Sequence, residues 1–161
     1  MPNTFTQLYI QLVFVVKYRE ALIAKAWKDE LYKYITGIVQ HSKSKMLAIN
    51  GMPDHLHIFI GYVPSIPLPD LVKNIKVAST LWINTHKLTG HRFNWQEGYG
   101  AFSYRRSDLP QICRYIENQE THHQKVSFKK EFKDQLHEFD VPYEDKWLFD
   151  SFDDLYPNAD P

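Results

Sequence analysis

Residues 52–61 read Met-Pro-Asp-His-Leu-His-Ile-Phe-Ile-Gly, MPDHLHIFIG. The run has strand character, and side chains alternate between the two faces of a strand. Leu56, Ile58 and Ile60 therefore share one face, and His55, His57 and Phe59 share the other. The aliphatic face asks for a cover of helices. The other face carries two imidazoles, roughly 6–7 Å apart from the rise of an extended chain. Neutral imidazoles at that separation can converge on one metal ion, although a polar, solvent-facing strand accounts equally well for an isolated His-x-His.

The surrounding pattern completes a fold. Before this run, Leu8, Ile10, Leu12, Phe14 and Val16 alternate as a first strand. Trp27, Leu31, Tyr34, Ile35 and Ile38 recur at helical spacing within a long amphipathic helix from about residue 20 to 43. "KMLAING" precedes the histidine strand, and Asn50-Gly51 between them is a hairpin signal. A second helix is expected over 69–87, with Leu71, Ile75, Ala78 and Trp82 on one stripe. "AFSYRR" reads as a fourth strand, "LPQICRYIENQETHH" as a third helix capped by Ser107 or Asp108, and 127–139 as a further helix. Strand, helix, strand, strand, helix, strand is the split βαβ, ferredoxin-like order of an α+β domain. Its antiparallel sheet carries helices on one face. The histidine face is expected to be open, with the extra helices following at the C-terminal end.

At 161 residues, 43% hydrophobic and 15% aromatic, the chain suits one compact domain. We expect a catalytic unit over 1–140 and an acidic tail over 141–161. The net charge of zero conceals an asymmetry. Residues 138–161 hold eight acids and one base, a net of −7, and the remaining 11 acids and 18 bases put 1–137 at +7. A basic body is compatible with a polyanionic partner. No apolar stretch approaches the ~18 residues of a membrane span, and the N-terminal stretch lacks the features of a signal peptide. With one cysteine, Cys113, these readings point to a reducing, cytoplasmic setting.

A third group for the histidine pair is sought on the third helix. Tyr115 and Gln119 are four residues apart and lie on one flank of the stripe Leu109, Ile112, Cys113 and Ile116. His122 and His123 read as local polar surface, His122 with a lesser claim to a substrate contact. Asp54 is expected to point away from the pair and to be structural. Bases interleave with aromatics around Lys17 and Arg19, Arg92, and Arg105 and Arg106, a pattern suited to stacking bases and neutralising the backbone of a nucleic acid. There is no phosphate-cradling GxxxxGK[ST] loop.

Taken together, "LVFVVKYR", "GMPDHLHIFIG", "FNWQEGYGAFSY" and "RYIENQETHH" resemble the single-tyrosine HUH transposases of the smallest bacterial insertion sequences, the TnpA type, over about residues 5–125. The resemblance implies that His55, His57 and Gln119 hold a divalent metal, Mg²⁺ or Mn²⁺, and that Tyr115 is the nucleophile. It implies cleavage and rejoining of single-stranded DNA at hairpin-bearing ends through a 5′-phosphotyrosine. It also implies a homodimer in which the tyrosine helix of one subunit completes the histidine site of the other. Two other readings stand beside it. One is a repeat-associated or replication-type nickase with the same chemistry; the other is a non-catalytic nucleic-acid-binding module on a ferredoxin-like sheet.

Overall fold

The computed structural model describes residues 3–148. Four strands, β1 (Tyr9–Val15), β2 (Lys45–Met52), β3 (His55–Gly61) and β4 (Gly100–Tyr104), form one antiparallel sheet in the order β2-β3-β1-β4. Helix α1 (Lys28–His41) joins β1 to β2, and α2 (Leu68–Thr85) joins β3 to β4. The ferredoxin-like order is therefore as expected.

Leu12, Phe14, Leu56, Ile58 and Ile60 are fully buried under Leu31, Ile35 and Val39 of α1 and Leu71, Ile75 and Ile83 of α2. Helix α1 starts later than the pattern suggests, because residues 20–27 are coil and turn ahead of it. On α2 the buried set is Leu71, Val72, Ile75, Ser79 and Ile83, and Trp82 lies to one side, stacked on Tyr34.

The β2–β3 turn is not at Asn50-Gly51. Those residues belong to β2 and pair with His57 and Leu56, while Met52 pairs with His55 across a two-residue Pro53-Asp54 turn. Proline's fixed φ suits the first corner of such a turn. Gly51 has a different duty: a Cβ there would overlap the backbone carbonyl of His55. Gly51→Ala should cost about 1–3 kcal/mol through strand displacement. Gly37→Ala, mid-helix with open space around it, should gain about 0.5–1 kcal/mol. Urea unfolding of the two variants checks this; equal effects would contradict the packing argument.

The second sheet face is not open. Helices α3 (Leu109–Glu117), α4 (Gln119–His123), α5 (Phe128–Glu138) and α6 (Asp145–Leu148) follow β4. Phe128, Phe132, Leu136 and Leu148 bury Val13, Val15 and Phe102, and Ile116 buries Ala48 and Phe59. The helices expected beyond the sheet thus cover the histidine face. Of the acidic tail, residues 149–161 lie outside the described residues. No helix among the described residues is long and apolar enough to cross a membrane.

Candidate metal and nucleophile site

The strand alternation places both imidazoles where the sequence pattern puts them, on the face opposite Leu56 and Ile58. Their ring centroids are 5.2 Å apart. Both are fully buried rather than solvent-facing.

Each histidine has its own support. Asp54 ends the tight turn, outside the regular strand, and its Oδ1 accepts from His55 Nδ1 at 2.7 Å. This overturns the expectation that Asp54 faces away. Arg19 approaches the other carboxylate oxygen at 3.6 Å. Tyr18 and Arg19 both take positive φ, 60° and 54°, where the chain leaves β1, and such strained backbone concentrates near functional sites. Phe128 stacks on the His55 ring at 3.8 Å, nearly parallel. His57 Nδ1 is 2.9 Å from the Gln11 amide nitrogen, and its Nε2 is 2.8 Å from Glu131 Oε1.

The third helix breaks at Asn118, giving α3 and α4. Tyr115 ends up near the close of one and Gln119 at the start of the other. The break keeps them together, with the Gln119 amide 3.5 Å from the Tyr115 carbonyl oxygen. Gln119 is fully buried, its Oε1 3.3 Å from His55 Nε2 and 3.0 Å from His123 Nε2. The half-buried Tyr115 ring lies 5.9 Å from His57 and 5.1 Å from His122. Its cleft, about 300 Å³, is lined by Tyr104, Tyr115, His122, Glu131 and Gln135 among others. The four residues singled out from sequence, His55, His57, Tyr115 and Gln119, therefore meet in one place within one chain.

Two residues at the centre were not anticipated. His123, read as surface, bonds Val126 O through Nδ1 at 2.9 Å and turns Nε2 to within 3.1 Å of Glu131 Oε2. Glu131 is 4% exposed and also lies 2.8 Å from His122 Nε2. The ligand atoms of His55, His57, His123 and Glu131 all lie within 4.8 Å of one another. A sequence signal for Glu131 existed. It sits between Phe128 and Phe132 on the buried stripe of α5, and a carboxylate in an apolar stripe requires buried partners.

The electrostatics follow from burial and this crowding. Burial would raise the Glu131 carboxyl, but the imidazoles of His123 and His57 hold it well below the usual carboxylate range. Burial pushes the Tyr115 phenol up, and the adjacent Glu131 charge pushes it further. Burial lowers His55, with Asp54 opposing; burial also acts to lower His123, but Glu131 overrides it and raises it.

These directions set a pH dependence. A depressed His55 contributes stability that is complete above the free histidine value, about 6.5, and is lost as pH falls below it. The raised His123 works in the opposite sense, losing its contribution as pH rises through its folded value. In metal-free protein, His55→Gln should therefore lose fewer degrees of Tm than the wild type between pH 7.5 and 5.5. Equal losses in calorimetry would show that His55 is not held neutral.

Of the expected DNA-contacting bases, Lys17, Arg92, Arg105 and Arg106 are exposed, and Arg105 lies 3.5 Å from Asp108. Arg19 is partly enclosed, against Asp54 and 5.9 Å from the Phe128 ring. The backbone N–H of Lys17 donates to Asn94 O, which joins the Lys17 turn to the loop carrying Arg92.

Residues 4–119 match the family model described as "Transposase IS200 like". The chain is similar to the ISDra2 transposase TnpA of Deinococcus radiodurans, 29% identical over 119 residues that make up 70% of this chain and 84% of that protein. Among solved structures it resembles a candidate transposase of Deinococcus radiodurans, with a TM-score of 0.57 and 27% identity over 73% of this chain and 94% of the other. It also shares the fold of a REP-associated tyrosine transposase bound to a REP hairpin, with a TM-score of 0.58 and 14% identity over 77% of this chain and 73% of the other.

Proposed function

The chain belongs to the IS200-like transposase family, and we propose that it cleaves and rejoins single-stranded DNA at hairpin-bearing ends, with Tyr115 as nucleophile. The observation that carries this reading is the grouping of Tyr115, His55, His57 and Gln119, with the Tyr115 ring 5.9 Å from His57 and Gln119 Oε1 3.3 Å from His55 Nε2. A phenol set among imidazoles and one buried carboxylate has no need of such neighbours for packing alone.

The donor set fits a divalent ion. It offers imidazole nitrogen, amide oxygen and one carboxylate, grouped within one cation's reach and without thiolates. His55, His57 and Gln119 would hold Mg²⁺ or Mn²⁺, with Glu131 and His123 adjacent. Imidazole ligation favours Mn²⁺, and the oxygen donors suit either ion. When bound, the ion supplies Lewis-acid polarisation of the scissile phosphate and charge neutralisation at the departing 3′ oxygen.

The chain's own residues do the rest. Glu131, which lines the same cleft as Tyr115, is the group we assign to orienting the Tyr115 hydroxyl. The Tyr115 oxygen forms a bond to phosphorus as the bond from phosphorus to the 3′ oxygen breaks. The products are a 5′-phosphotyrosine and a free 3′-hydroxyl, and rejoining reverses the step with a new 3′-hydroxyl. One phosphodiester replaces another, so no nucleotide is consumed. Lys17, Arg92, Arg105 and Arg106, all exposed, are the residues we assign to neutralising the strand. Arg19 acts through Asp54 on His55.

All the groups come from one chain, which supports chemistry in cis. A homodimer that exchanges its tyrosine helices, as the family resemblance implies, is the competing arrangement. A direct test is incubation with Mn²⁺ and hairpin-bearing single strands from the sequence flanking the gene, beside the same sequence as duplex. Covalent complex and cleaved product are expected from the single strand alone. Equal cleavage of the duplex, or none of either, would contradict the proposal, and joined products would separate a transposase from a nickase.

A further inference from the structure

Gln11 sits in the middle of β1, fully buried, between two strands of the sheet. A primary amide has a donor end and an acceptor end. The acceptor end is taken: Gln11 Oε1 receives the Tyr104 hydroxyl at 3.1 Å and the Gln135 amide at 3.0 Å. The donor end faces His57 Nδ1 at 2.9 Å. In this arrangement Nδ1 must accept, so the ring hydrogen is on Nε2, where it donates to Glu131 Oε1. His55 is the reverse. Its Nδ1–H donates to the Asp54 carboxylate at 2.7 Å, which leaves the ring's lone pair on Nε2.

The two imidazoles thus stand in opposite tautomers, and only His55 is ready to bind a metal through Nε2. From this we infer that Gln11 is a positioning residue whose amide orientation decides which nitrogen of His57 carries the hydrogen, and so whether His57 is available to a cation. The inference rests on the reading that the histidine pair holds the ion.

For His57 to ligate through Nε2, its hydrogen must sit on Nδ1 and Gln11 must turn its carbonyl toward it. One hydrogen leaves Nε2 and one arrives at Nδ1, so the charge of the ring is unchanged. The surroundings permit the turn. Gln135 Oε1 is buried without a hydrogen-bond partner among the described residues. Turning Gln135 offers that oxygen to the reoriented Gln11 amide. The Tyr104 hydroxyl can accept as well as donate, so Gln11 keeps a partner at each end in both states. The hydrogen bond on the far ring nitrogen commonly fixes which nitrogen is available to metal.

The experiment is long-range ¹⁵N–¹H correlation of the labelled full chain with chelator and then with Mg²⁺. Metal-free wild type should show His57 as the Nε2–H tautomer and His55 as Nδ1–H, and Mg²⁺ should convert His57 to Nδ1–H. In Gln11→Glu, a carboxylate can accept from His57, Tyr104 and Gln135 together. His57 should then be Nδ1–H without metal, and Mg²⁺ should bind about tenfold more tightly. Gln11→Leu covers the case in which the carboxylate prevents folding; without the amide, His57 should show both tautomers. Metal-free wild-type His57 already in the Nδ1–H form, or unchanged in both variants, overturns the assignment. If Mg²⁺ moves neither histidine, the metal reading fails, while the metal-free spectra still decide the role of Gln11.

Discussion

Tyr115→Phe should form no covalent complex with DNA, and its cleavage should fall at least about a thousandfold, while hairpin binding stays within about twofold. The substitution removes one oxygen and keeps the ring against His57 and His122. Loss of the hydroxyl beside Glu131 should change stability by only about 0.5–1.5 kcal/mol. A denaturing gel with labelled DNA gives the covalent yield, and gel shift gives the binding. Any adduct retained by this variant would assign the nucleophile to another residue. Binding lost in parallel with cleavage would make Tyr115 a structural group.

His57→Ala should abolish Mn²⁺-dependent cleavage and weaken Mn²⁺ binding by a factor on the order of 10–100. The sequence pattern, with its exposed strand face, suggests no effect on folding. Full burial of His57 changes that expectation. Truncation leaves both the Gln11 amide and Glu131 Oε1 without their imidazole partner. The cost should be about 1–3 kcal/mol, borne by a chain that still folds. Calorimetry separates this loss from the activity, and cleavage equal to wild type at matched Mn²⁺ would remove His57 from the mechanism. Mixing Tyr115→Phe with His57→Ala also decides how the site is assembled. Chemistry in cis predicts no recovery, whereas subunits that exchange tyrosine helices would restore activity.

The sheet face of each β3 residue was legible because alternation is local, and the same holds for Tyr115 and Gln119 on one helical flank. The identity of the β2–β3 turn was not. Asn50-Gly51 carries the stronger local signal, but Gly51 is required by the close approach of the His55 backbone, and Pro53-Asp54 makes the turn. The cover over the histidine face was also missed. Glu131 meets His57 across 74 residues of chain, a separation that no local periodicity encodes. Its clue lay in the hydrophobic stripe of α5, where a carboxylate and Gln135 occupy inward positions. Asp54 was assigned to the wrong direction by extending strand alternation one residue past the strand's start.

The central claim is that the Tyr115 oxygen is what joins to DNA. Its most direct test is to trap the complex formed with a hairpin-bearing single strand and Mn²⁺, digest both components, and sequence the modified peptide by tandem mass spectrometry. A nucleotide linked through its 5′ phosphate to Tyr115 within the α3 peptide is expected. A nucleotide on any other side chain, or one attached through a 3′ phosphate, would contradict it.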